Sequence, residues 1–75
     1  MNDAEVISKA HDMLRANIGH DNDQLAVFLV RDLRATREAG LGRQAWLYDR
    51  DGCTHGEAVA MVEQLAGAVE GGSGE

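Results

Sequence analysis

Three short stretches carry the same helix-start signal, and together they constrain what this chain can fold into. "NDAE" (Asn2 to Glu5), "DNDQ" (Asp21 to Gln24) and "THGE" (Thr54 to Glu57) each set an oxygen-bearing side chain three residues before Glu or Gln. At that spacing the first side chain accepts the N3 amide, and the Glu or Gln reaches back to the cap's own amide. Met1 and Val6 flank the first box, and Cys53 and Ala58 the third, as a hydrophobic staple does. An apolar pattern follows each box, so the sequence predicts three helices.

The first helix is expected from about Asp3 to Asn17 or Ile18. Ile7, Ala10, Leu14 and Ile18 fall on one stripe, widened by Val6 and Met13, and Gly19 is read as a left-handed stop. The second is expected from about Asn22 to Ala39, with Leu25, Phe28, Leu29 and Leu33 as its main buried stripe. Ala26, Val27 and Val30 make its first half apolar nearly all round, which points to neighbours on more than one side or a second subunit. "LAVFLV" (25–30) has a strand as its rival reading, but good helix formers continue it to Gly40. Leu41 then stands where a Schellman cap seats its apolar contact. The third helix is expected from about His55 to Val69, with Ala58, Val62, Leu65 and Val69 in one row and Gly71-Gly72 as its end.

The fold class expected is therefore all-α: a small three-helix bundle of residues 1–70. Residues 41–53 form a loop or short extra helix, and 71–75 ("GGSGE") a flexible tail. One domain of this size buries only about 60% of its unfolded surface. The single Cys53 allows no internal disulfide and fits a reducing compartment. No charged-then-apolar leader is visible, and the longest apolar run is far short of the roughly 20 residues that span a bilayer. A soluble, cytoplasmic protein without membrane binding is the expectation.

The formal net charge of −6 is unevenly spread. Residues 31–50 hold five arginines against three acids, while residues 51–75 hold five acids and no base. The acidic total argues against indiscriminate nucleic-acid binding, which needs surplus Lys and Arg at phosphates. The basic island includes the chain's one Trp and one Tyr. Arg34, Arg37, Arg43, Trp46, Tyr48 and Arg50 make a candidate partner-binding patch, since Trp, Tyr and Arg are the usual interface anchors. The structural alternative is that Trp46 caps the small core. A second candidate surface is an acidic helical face with Glu57, Glu63 and Glu70.

Chemistry finds little support in these residues. "CTH" sets Cys53 and His55 two apart, outside the usual zinc spacings, and His11 and His20 complete no ligand set. "DRDG" resembles the start of a calcium loop but lacks its later ligands. No cofactor or metal is expected, and no catalytic constellation. The reading is a non-enzymatic protein that binds another protein as adaptor, regulator or inhibitor, a role that includes phage accessory proteins. Self-association through the second helix accompanies it. The alternative is a helix-turn-helix-like DNA regulator using residues 31–50, with Arg43, Gln44 and Arg50 as readers.

Overall fold

The structure is a computed structural model that describes residues 2–16 and 19–73. Among them it is wholly helical, with α1 (Asp3–Ala16), α2 (His20–Arg31), α3 (Arg34–Glu38), α4 (Gly42–Asp51) and α5 (His55–Ser73). The run 25–30 lies in α2, so the strand reading is excluded. α1 packs on α2 and α5, and α4 folds back onto α2.

Two of the three capping boxes form. The Glu5 amide donates to Asn2 Oδ1 at 2.9 Å, and the Asn2 amide to Glu5 Oε1 at 3.5 Å. At α5 the Thr54 amide donates to Glu57 Oε1 at 2.9 Å, and the Glu57 amide to Thr54 Oγ1 at 3.2 Å. The middle box does not form. α2 starts earlier, with Gly19 as an extended N-cap (φ −170°) that uses no side chain. Gly19 is thus not the left-handed stop expected for the first helix. Asp21 and Asp23 fall in the first turn of α2, where their charge favours the positive end of the helix dipole. Asn22 Nδ2 instead donates to Met13 O, 2.8 Å away, and satisfies a carbonyl in the last turn of α1. Asn17 and Ile18 lie outside the described residues.

The expected helix from Asn22 to Ala39 is broken at Asp32-Leu33, although neither Gly nor Pro stands there. Several backbone groups released by the break find substitute partners. In an unbroken helix the Val30 carbonyl would accept from the Arg34 amide. Here it accepts from the Leu33 amide at 3.3 Å and from the Thr36 hydroxyl. The Asp32 carbonyl accepts from Arg37 Nη1 at 3.0 Å. The Ala35 amide, at the start of α3, donates to Asp3 Oδ2 at 2.8 Å. A carboxylate from α1 therefore caps α3 across 32 positions of sequence. Thr36 is fully buried, so its hydroxyl needs the partner it has.

α3 ends as the sequence predicts. Gly40 is left-handed (φ 75°), its amide donates to Arg37 O at 3.1 Å, and the Leu41 amide donates to Thr36 O at 3.0 Å. That is the bond pair of a Schellman motif, and Leu41 is buried as its apolar contact. Residues 41–53 resolve into the ten-residue α4, closed by Gly52 (φ 88°). α5 runs through Gly71 and Gly72 to Ser73, past the stop expected at the two glycines.

The core confirms two expected faces and overturns a third. Ile7, Ala10 and Leu14 of α1 are buried, as are Ala58, Met61, Val62 and Leu65 of α5. In α2 the buried residues are Ala26, Val27 and Val30, with Asp23. The expected stripe of Leu25, Phe28, Leu29 and Leu33 is only partly inward: Leu25 is 55% exposed and Phe28 51%, whereas Leu29 is half-buried and Leu33 packs against the core. The break explains the rotation. With α4 folded back onto α2 and α5 against it, the small residues Ala26, Val27 and Val30 permit close approach on the inner side, and Leu25 and Phe28 fall outside.

Asp3→Ala should destabilise the fold by about 1 kcal/mol, the usual value of an N-cap oxygen. Asp12→Ala, an exposed change on the same helix, should stay within about 0.5 kcal/mol. Denaturant titration of both variants checks this, and equal losses would contradict the cap.

Candidate functional site

Exposure of large apolar side chains concentrates on α2 and α4. Among the described residues Leu25, Phe28 and Trp46 are the exposed large hydrophobics, and the last two are the chain's single Phe and single Trp. Trp46 is 47% exposed, so it does not cap the core. The two helices are joined along their flanks. Gln24 Nε2 donates to the Asp49 carbonyl at 3.4 Å, and Arg31 forms an ion pair with the Asp49 carboxylate. An open groove lined by Asp21, Gln24, Leu25, Phe28 and Asp49 runs over this seam. Trp46 and Arg50 sit on the outer side of Asp49 at helical spacing, so both rims belong to one surface.

Each aromatic on this surface carries an arginine from its own helix. The Arg31 guanidinium lies 4.8 Å from the Phe28 ring centre, and that of Arg50 lies 4.6 Å from the Trp46 ring. Such stacks hold a flat apolar face and a cation in one fixed arrangement. Both arginines are also acid-paired, Arg31 with Asp32 and Asp49 and Arg50 with Asp51. The hydrogen bonds and charges of those acids raise the pKa of both guanidinium groups, and Arg50 in turn lowers that of Asp51.

The six residues of the expected Arg/Trp/Tyr patch do not share one surface. Arg43, Trp46 and Arg50 form a stripe on α4. Tyr48 points to the other flank, where its hydroxyl accepts from Gln44 Nε2 at 2.8 Å and donates to Glu57 Oε2 at 3.2 Å. Arg34 pairs with Glu38 at 2.7 Å on α3, and Arg37 caps the end of α2. Leu25 and Phe28 were assigned to the core by the sequence reading, so it missed them as surface residues. Their signal was present in the all-round apolar character of residues 25–30.

The expected acidic face is partly committed to the fold. Glu57 is occupied by its capping box and by Tyr48, and Glu63 lies 3.6 Å from His11 across α1 and α5. The Glu70 side chain lies outside the described ones. The Thr54 amide and hydroxyl hold the Glu57 carboxyl below its ordinary 4.5, and Tyr48 adds to this.

The most chemistry-like arrangement is Asp23 with His55. Asp23 is 3% exposed, and its Oδ1 lies 2.8 Å from His55 Nδ1. Cys53 stands two residues before His55, but burial, with the charges of Asp23 and Glu57, pushes its thiol above the usual value. A nucleophilic cysteine needs the opposite shift. The pair ties the start of α5 to α2, which is a structural task. Among the described residues no cluster of His, Cys, Asp and Glu is placed to hold a metal ion. Likewise, none of the described helices is long and apolar enough to cross a membrane. No protein-family model, curated protein or solved structure matches the chain.

The Glu57 carboxyl has a lowered folded-state pKa, so its contribution to stability is present above 4.5 and is lost as pH falls through the folded value. Thermal unfolding of the native chain should therefore weaken more steeply between about pH 6 and about pH 3 than that of Glu57→Gln. Parallel curves for the two proteins would contradict the capping role.

Proposed function

We propose that this chain is a non-enzymatic protein-binding module that grips another protein with the outer face of α2 and α4. One observation carries the reading: a small domain leaves its only Phe and only Trp about half in water, on two helices that pack together. Covering a half-exposed side chain of this size recovers on the order of 1 kcal/mol each. Core needs alone would draw such residues inward, because a domain this small has few large apolar groups to spare.

The chemistry of the face also suits a protein partner. Leu25, Phe28 and Trp46 supply apolar area, and the stacked Arg31 and Arg50 supply directional donors at its edge. The DNA reading draws less support. Of its three readers, Gln44 is engaged by Tyr48 and Arg50 by Asp51, which leaves Arg43 alone for phosphate or base contact. The five-residue α3 is also short for the first helix of a helix-turn-helix. Roles as adaptor, regulator or inhibitor are all consistent with a module that has no reaction of its own.

Affinity capture from the source cell tests the proposal when paired with variants. Phe28→Ala and Trp46→Ala should each weaken capture of a specific protein by about 30-fold or more, a loss of roughly 2 kcal/mol. Helical content should stay unchanged, since both side chains lie outside the core. Glu63→Gln should leave capture intact. A partner held equally well by all three variants would overturn the assignment of the face.

A further inference from the structure

We infer that, in the absence of its partner, the α2–α4 face is covered by a second copy of this chain in a two-fold pair. The inference rests on the reading of that face as a protein-binding surface and names what occupies it in the isolated protein.

The argument is the distribution of unpaired charge. Most charged groups on this face are matched within the chain: Arg31 by Asp32 and Asp49, Arg50 by Asp51. Asp21 and Arg43 have no ion-pair partner among the described residues, and both are exposed. They stand at opposite ends. Asp21 lines the groove beside Asp49, in the last turn of α4, whereas Arg43 is the second residue of that helix. Six residues of helix separate Arg43 from Asp49, a rise of about 9 Å. The face thus has an unmatched acid at one end, an unmatched base at the other and apolar side chains between.

A two-fold axis through such a surface exchanges its ends. Asp21 of each copy meets Arg43 of the other, while Leu25, Phe28 and Trp46 meet their equivalents at the centre. An isologous interface requires this self-complementary pattern. The area is also adequate. A standard interface takes about 800 Å² from each partner, roughly one-sixth of the 4577 Å² that the chain exposes. The outer sides of two helices of 12 and 10 residues can supply that.

Sedimentation across concentration, with charge-reversal variants, tests the pairing. The native chain should pass from monomer to dimer and stop there. Asp21→Arg and Arg43→Glu should each weaken association at least tenfold, and the double reversal should restore it. Circular dichroism on each variant separates lost pairing from lost fold; if either single variant unfolds, Asp21→Asn and Arg43→Gln replace the reversals and should each weaken association. A strict monomer at millimolar concentration, open-ended growth, or a double reversal weaker than both singles would overturn the pairing. A monomer that still captures a partner through Trp46 overturns the dimer alone. A dimer and a capture that both ignore Phe28→Ala and Trp46→Ala overturn the face itself.

Discussion

The interruption between α2 and α3 governs this architecture. Continued to Ala39, the second helix would be a rod of about 20 residues and 30 Å, and α4 could not lie back along it. The turn at Asp32-Leu33 is held by replacement partners for several of the backbone groups released there. The Thr36 hydroxyl and Leu33 amide serve the Val30 carbonyl, Arg37 serves that of Asp32, and the Asp3 carboxylate serves the Ala35 amide. The Val30 carbonyl bonded by the buried Thr36 would cost about 1–3 kcal/mol if left unsatisfied. With these bonds, the turn exchanges one set of hydrogen bonds for another and gains the packing of α4 on α2.

That turn also decides which side of α2 is buried. An inner side of Ala26, Val27 and Val30 lets α4 and α5 approach closely, and Leu41 and Ala45 fill the space they leave. Leu25 and Phe28 consequently face out, beside the Trp46 stripe of α4. The candidate binding surface is thus a by-product of the same geometry that completes the core. A core assembled largely from alanine, valine and a few larger residues has a thin stability margin. The Asp23–His55 contact and the two capping boxes gain weight in such a domain, because each fixes the start of a helix.

Much of the local chemistry that depends on neighbours in the chain was legible in the sequence. The boxes at Asn2 and Thr54, the Schellman stop at Gly40 with Leu41, and the buried rows of α1 and α5 all follow from spacing alone. The break at Leu33 was not legible, because its decisive cap comes from Asp3, 32 positions away. No propensity or turn residue marks such a site. The middle box failed for a related reason: α2 starts earlier, at His20, and the Gln24 side chain was drawn to the Asp49 carbonyl, so a tertiary contact claimed a side chain the local motif would have used. The candidate site was half legible. Trp46 and its arginines stood out by type, whereas Leu25 and Phe28 were read as core because the stripe of α2 was placed one face round from its true position.

Backbone carbon chemical shifts along residues 20–40 test the central claim most directly. The account predicts helical shifts that stop at Arg31, an extended signature at Leu33 (ψ 147°) and a resumed helix from Arg34 to Glu38. Continuous helical shifts from His20 to Ala39 would contradict it, and the folded-back α4 and the exposed face would go with it.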